Sequence, residues 1–328
     1  MKPKIYVTRM LPQAGLDLLA EEYDVEVNPN DRVATREELL AGIRGKDALL
    51  ALLTDTIDAE VMDAEPRLKV IANYAVGFNN IDVAAATERG IVVTNTPGVL
   101  TETTADLAFA LLTACARRIV EADKFMRAGK YEGWGPMLFL GRDIHGKTLG
   151  LVGFGRIGRA MAQRGRGFGM KILYNDAVRA SQELERAYNA EYRELPDLLR
   201  ESDFVSLHVP LLESTHHLIS DAQFELMKTT AIVINTSRGP VVDEKALVRA
   251  LKAGLISGAG LDVFEWEPQF EPDLERLANV VMVPHIASAS VETRTKMATM
   301  AAENACAVMR GEMPPNIVNP EVWDGRCR

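Results

Sequence analysis

Short runs of buried-type residues alternate with helix-patterned segments along the whole chain. In the first third, Ile5-Tyr6-Val7, Val25-Glu26-Val27, Ala48 to Leu53, Leu68 to Ala72 and Ile91 to Thr94 read as strands. Helical segments lie between them, and one starts at Thr35-Arg36-Glu37-Glu38, where a threonine and a glutamate three residues on form a capping-box pattern. The alternation resumes with Leu149 to Val152, Lys171 to Asp176, Phe204 to Val209, Ala231 to Asn235, Ala259 to Val263 and Val280 to Val283. Apolar strands separated by helices imply parallel sheets, hence an α/β fold. Two long helical segments stand out. One follows the loop Thr96 to Asp106 and is expected to run toward Met126, and the other spans Val291 to Met309. We read them as the two crossings between a first domain (1–100 plus 290–328) and a second (101–289).

The second domain opens on Gly153-Phe154-Gly155-Arg156-Ile157-Gly158, between an apolar strand and the helical Arg159-Ala160-Met161-Ala162. This is the strand, turn, helix context of a dinucleotide fingerprint. Gly153 allows the tight turn, Gly155 lets backbone approach a pyrophosphate, and Gly158 lets helix and strand pack closely, while the helix N-terminus favours the anion. The next strand ends at Asp176, at the separation of a carboxylate that accepts from adenosine ribose hydroxyls and repels a 2′-phosphate. NAD(H) is therefore expected in preference to NADP(H). Arg179 argues the other way, and the bland reading of Asp176 is a turn or helix-cap aspartate.

With 328 residues the chain can form two cores, and a formal charge of −9 argues against a nucleic-acid surface. No stretch is apolar for long enough to cross a bilayer, and the N-terminus runs into strand-like sequence without a signal-peptide core. A cytoplasmic protein is the expectation. Cys115, Cys306 and Cys327 fit no metal spacing and no disulfide framework, so no metal site is expected. Cys115 and Cys306, flanked by alanines, read as buried packing, and Cys327 as loose.

Ligands in such folds bind beyond the carboxyl ends of strands. One such loop, Tyr74 to Asn80, contains Gly77, which can turn the backbone so that amides face an anion; a plain glycine turn is equally compatible. Three later strand ends each deliver one chemical group. Arg238 offers a planar fork for a carboxylate, His285 a proton for the alkoxide formed when hydride reaches a ketone, and Glu267 a charge that would raise and orient that histidine. Each has a bland alternative: a surface turn arginine, a solvated glutamate beside Glu265, a histidine satisfying a strand end. His208 also ends a strand and is the rival histidine. His145, His216 and His217 read as non-catalytic.

Together, Val76-Gly77, the glycine fingerprint, Asn235-Thr236-Ser237-Arg238-Gly239, Gly260-Leu261-Asp262-Val263-Phe264 with Glu267-Pro268, and Pro284-His285 resemble the D-isomer-specific 2-hydroxyacid dehydrogenases over essentially the whole chain. The resemblance implies two Rossmann/flavodoxin-like domains, substrate-binding and NAD-binding in that order, with the active site in the cleft between them. It implies Arg238, Glu267 and His285 as the catalytic set, and the Val76 and Gly77 amides with Arg238 on the substrate carboxylate. Around the cofactor it implies Thr104, Gly153, Gly155, Arg156, Ile157, Gly158, Asp176, Val209, Pro210, Thr215, Thr236, Ser237, Asp262, His285 and Ser288. Asn73 to Phe78, Trp134 and Leu138 to Gly141 look most like the glyoxylate/hydroxypyruvate reductase branch, although Asp176 departs from its NADPH-using members. Glu267 counts against the related formate dehydrogenases, which have glutamine there. The resemblance also implies a homodimer built on the cofactor domains and on Thr101 to Met126, with Trp134 reaching toward the partner. Phosphoglycerate, D-lactate or 2-ketogluconate dehydrogenases, and an NADH-sensing corepressor-type protein, are the alternatives.

Overall fold

The computed structural model describes residues 2–326, so Cys327 lies outside the described residues. Along the chain run β1 (Lys4–Val7), α1 (Gln13–Glu22), β2 (Asp24–Val27), α2 (Arg36–Ile43), β3 (Ala48–Leu52), α3 (Ala59–Asp63), β4 (Val70–Tyr74), α4 (Val83–Glu88) and β5 (Val92–Thr94). Then come α5 (Thr101–Ala116), α6 (Ile119–Arg127), β6 (Thr148–Val152), α7 (Arg156–Gly167), β7 (Lys171–Asn175), α8 (Gln182–Tyr188), β8 (Ala190–Tyr192), α9 (Leu195–Glu201) and β9 (Phe204–Leu207). The rest comprises α10 (Asp221–Leu226), β10 (Ile232–Asn235), α11 (Glu244–Ala253), β11 (Gly258–Leu261), β12 (Val280–Met282), α12 (Val291–Met309) and α13 (Glu321–Arg326). The chain divides into two compact units: residues up to Leu100 together with those from Ala289, and Thr101–Ser288.

The first unit is built on a parallel sheet in the order β2-β1-β3-β4-β5. Successive strand residues point to opposite faces, so each buried strand supplies two cores. Ile5, Val7 and Leu50 meet Leu16 and Leu19 of α1 and Met297, Ala301 and Ala305 of α12. Tyr6, Leu49 and Ala51 meet Leu39, Ile43, Val61 and Met62 on the other side. The expected capping box is present at the start of α2: Glu38 N donates to Thr35 Oγ1 at 3.2 Å and Thr35 N to Glu38 Oε2 at 2.8 Å.

The second unit carries a seven-stranded parallel sheet, β12-β11-β10-β9-β6-β7-β8. One face is covered by α5 and α7, through Ala108, Leu111, Leu112, Met161 and Ala162. The other is covered through Leu198, Phe224, Ala246, Leu247 and Leu251 from α9, α10 and α11. From β6 the chain builds outward to β8 and returns to place β9 on β6's other side, so the loops after β6 and β9 open a crevice where strand order reverses.

Several elements differ from expectation; β9 and β11 each end two residues early, at Leu207 and Leu261, and three others differ as follows. Strand β4 starts two residues late, because Leu68 is used in a turn whose amide donates to Glu65 O, and it continues through the buried Asn73 and Tyr74. The helix expected to reach Met126 stops at Ala116, where Arg118 takes a left-handed φ of 54° and binds Glu121, and α6 restarts the chain. Strand β8 was not anticipated, being short and half polar.

Candidate active site

Loops after β10, β11 and β12 converge in the second unit. Asn235 shapes the first: its Oδ1 accepts from Ser237 N at 3.0 Å and Ser237 Oγ at 2.8 Å, and its Nδ2 donates to Arg238 O at 3.0 Å. Arg238, whose Nη1 donates to Ser237 O at 2.7 Å, is thereby fixed in place. Burial lowers its pKa from the usual guanidinium value, and the charge of Glu267 pushes back. The next residue, Gly239, lies against the loop after β11 so closely that a Cβ there would fall inside the Phe264 carbonyl.

That loop carries Glu267. Its Oε1 accepts from Phe264 N at 3.0 Å and its Oε2 faces His285 Nδ1 at 2.8 Å. Burial pulls the Glu267 carboxyl upward, but the hydrogen bond and charge of His285, the Phe264 amide and Arg238 outweigh it, leaving the pKa below the usual value. A carboxylate only accepts, so His285 Nδ1 carries the proton of this bond and Nε2 is left to face a reactant. His285 takes a left-handed φ of 53°, a costly conformation for a side-chain-bearing residue. Asp262 and its own amide hold it there: His285 N donates to Asp262 O at 2.9 Å, and the Asp262 carboxylate accepts from Ile286 N at 2.6 Å and Ala287 N at 2.9 Å. Burial raises the Asp262 pKa above the usual carboxylate range.

The glycine loop lies across the sheet from these groups. Gly153 turns at φ 96° with its amide on Asn175 O at 2.8 Å, and a Cβ there would meet the backbone of His208 and Val209. Around Gly155, in contrast, a Cβ would meet nothing within 4 Å. Helix α7 begins there with no side-chain cap, leaving the first-turn amides, including those of Arg156 and Ile157, to an outside acceptor. Gly158 packs onto the Gly153 carbonyl. Asp176, half-buried, accepts from Phe154 N at 2.7 Å through Oδ2, which orients the carboxylate over the loop. This open backbone cradle, uncapped helix start and fixed acid fit a dinucleotide.

The profile described as "D-isomer specific 2-hydroxyacid dehydrogenase, NAD binding domain" matches residues 109–287. A glyoxylate reductase of Korarchaeum cryptofilum is 56% identical over 325 residues, 98% of this chain and 97% of that protein. One of Thermococcus litoralis is 53% identical over 98% of each. The chain belongs to the D-isomer-specific 2-hydroxyacid dehydrogenases. The crystal structure of an NADPH-dependent glyoxylate/hydroxypyruvate reductase from Sinorhizobium meliloti, in complex with NADP and malonate, superposes with a TM-score of 0.85 at 33% identity, covering 97% of each chain.

In this dehydrogenase, then, Arg238, Glu267 and His285 adjoin one another in the unit that contains the NAD-binding domain. Of the other expected cofactor residues, Thr236 has a buried hydroxyl with no protein partner among the described residues, as a ligand-facing group would. Thr104 is buried in α5 and Pro210 is exposed beyond β9, after the half-buried Val209. Two side chains are already committed. Ser237 is bound to Asn235, and Thr215 Oγ1 closes its own loop on Pro210 O at 2.7 Å. Ser288 is half-buried after the His285 turn. His208, the rival histidine, lies past the end of β9; its Nε2 pairs with Ser206 Oγ at 2.9 Å, and burial pushes its pKa down to about 3, which leaves it neutral. In the first unit, the Val76 and Gly77 carbonyls accept from Asn95 and Asn73, while their amides donate to no protein acceptor among the described residues.

Sequence reading missed the support beneath Glu267. Glu265 is not a solvated neighbour: its carboxylate meets His217 Nε2 at 2.7 Å and the amide of Glu244 at 3.2 Å. The buried Glu244 returns the contact, accepting from Glu265 N at 2.6 Å and Glu271 N at 2.8 Å. Burial raises the Glu244 pKa despite those amides. The one signal in the sequence was an acid in the first turn of α11.

Proposed function

We propose that the enzyme reduces glyoxylate, hydroxypyruvate and similar short 2-oxo acids to the D-2-hydroxy acid with NADH, with proton donation from His285. The observation that carries this reading is the Glu267–His285 pair at 2.8 Å beside the half-buried Arg238. The names of the most similar relatives, glyoxylate reductases, support the substrate class.

When bound, the dinucleotide supplies the hydride that is added to C2. Arg238 grips the substrate carboxylate and polarises the adjacent carbonyl. His285 Nε2 gives its proton to the carbonyl oxygen as that oxygen becomes an alkoxide. Glu267, ionised and bound to Nδ1, stabilises the charged ring before transfer and keeps the correct tautomer afterwards. Glyoxylate yields a product without a stereocentre, so the D-configuration is read with hydroxypyruvate. Asp176 takes the adenosine ribose hydroxyls and repels a 2′-phosphate, which gives NADH the preference.

The same reading includes a homodimer. Helix α6 has no buried residue, and Ile119, Met126, Tyr131, Trp134, Met137 and Leu140 are all at least half exposed within one short stretch. So much apolar surface in sequence is suited to a partner subunit.

The test is the initial rate of NADH oxidation, beside NADPH, with glyoxylate, hydroxypyruvate, pyruvate, 2-ketogluconate and 3-phosphohydroxypyruvate at matched concentrations. Fast turnover of the first two with NADH is expected. Faster turnover of any of the others overturns the substrate class, and tight NADH binding without turnover overturns the enzyme reading.

A further inference from the structure

Beside the Asp176 corner, one arginine is held by an acid on the neighbouring helix. Arg179 lies three residues beyond Asp176, with its side chain 62% exposed. Its Nε meets Glu185 Oε1 at 2.8 Å and its Nη2 meets Oε2 at 3.2 Å, a two-pronged grip, and its guanidinium carbon lies 5.5 Å from the centre of the Tyr192 ring. Glu185, in the first turn of α8, is only 14% exposed. A third contact fixes it: the Tyr174 hydroxyl donates to its Oε1 at 2.7 Å and in turn accepts from Ala180 N at 3.0 Å. The acid is therefore anchored in the fold, and the base is the more exposed partner. Asp176 and Arg179 share one corner, since both charges act on the Tyr192 hydroxyl, in opposite directions.

A guanidinium three residues after the ribose-binding acid has the reach and geometry to take a 2′-phosphate through two hydrogen bonds. Here the edge formed by Nε and Nη2 is already engaged. We propose that Glu185 is a specificity-determining residue that disfavours NADP(H) by holding Arg179 away from the 2′-phosphate position. This rests on the reading that Asp176 faces the adenosine ribose. Two layers of selection then act at the corner: Asp176 repels the phosphate, and Glu185 withholds a nearby cation, Arg179, that would offset the repulsion. Because Glu185 is 14% exposed and fixed by the Tyr174 hydroxyl, the pair is worth more than a fully exposed one, and one substitution on the acid releases the arginine.

The experiment measures dissociation constants by calorimetry for NADH, NADPH, AMP and 2′,5′-ADP on the full-length enzyme. The variants are Glu185→Gln, Arg179→Ala, the double variant and Asp176→Ala. Glutamine keeps an acceptor for Tyr174, so the loop stays tied while the charge is lost. Glu185→Gln is expected to bind NADPH and 2′,5′-ADP about tenfold more tightly, the range of one new charge-assisted contact, with NADH and AMP changed less than about twofold. Adding Arg179→Ala should erase the gain. Arg179→Ala alone should leave NADPH binding unchanged, because the held arginine contributes nothing to it. An unchanged NADPH constant in Glu185→Gln, a gain that survives in the double variant, or weaker NADPH binding in Arg179→Ala alone each overturns the proposal. Asp176→Ala separates the underlying reading: if it fails to improve NADPH binding, Asp176 is not the selector, whatever Glu185 does.

Discussion

Replacing Gly239 by alanine tests whether the arrangement of the three reactive groups depends on backbone packing. The glycine has no positive φ, so the substitution adds no conformational strain and acts by contact alone. The new Cβ would lie 2.5 Å from Glu265 N, where ordinary contact begins at 3.4 Å, and it would press harder still on Phe264 O. The loop carrying Glu267 must therefore withdraw from Arg238 by about 1.5 Å, more than the roughly 1 Å misplacement that can lower turnover about 10²-fold. Overpacking of this kind costs about 1–3 kcal/mol, and each kcal/mol lowers the melting temperature by roughly 2–4 °C in a unit of this size. The assay is kcat/KM for glyoxylate with NADH, beside the NADH dissociation constant and the melting temperature. A large loss of kcat/KM with nearly native NADH binding is expected, because the glycine loop lies elsewhere on the sheet. A variant within threefold of native kcat/KM would refute the packing argument.

Glu267→Gln removes the negative charge from His285 Nδ1 and leaves the ring's tautomer unfixed, so kcat with glyoxylate should fall about 10²-fold while the NADH dissociation constant stays near native; an unchanged kcat removes Glu267 from the proton step. His208 has its folded pKa pushed down from 6.5 to about 3 by burial. As pH falls below 6.5, the unfolded chain takes up that proton first, so the neutral ring's contribution is complete above this value and is lost progressively toward pH 3, at up to about 1.4 kcal/mol per pH unit. Urea unfolding at pH 7 and 5 should show roughly 2 kcal/mol less acid destabilisation in His208→Asn than in the native enzyme, and equal losses would contradict the assignment. Gel filtration of the native protein should show a dimer, and Trp134→Ser with Met137→Ser should shift it toward monomer; a native monomer at working concentration would end the dimer reading.

Much of the fold could be read from the sequence because apolar strands and capped helix starts carry local signals. The Thr35/Glu38 box, the glycine turn at Gly153 and the strand end at Asn235 all depend on neighbours within a few residues. What could not be read depends on distant partners. The break at Arg118 is stabilised by the guanidinium of that residue binding Glu121 and lying 5.1 Å over the Phe139 ring, while Ala116 O accepts from Arg142 N. Nothing in the helical pattern before it announces this. The extension of β4 through Asn73 and Tyr74 reflects buried polar groups, Asn73 on Gly77 O and Tyr74 on Arg294 O, which hydropathy alone scores as loop. At the site, Arg238, Glu267 and His285 were nameable one by one from their strand ends. The Glu244–Glu265–His217 set beneath them was not, since two acids and a histidine, separated by twenty or more residues, look like solvated charge until the fold brings them together.

The central claim is that His285 delivers the proton. The most direct measurement is single-turnover NADH oxidation with glyoxylate in His285→Ala, beside the NADH dissociation constant of the same preparation. The account predicts a loss of roughly 10²- to 10⁴-fold in the rate, with NADH bound within about threefold of native. A near-native rate in that variant, with native NADH binding, would contradict it.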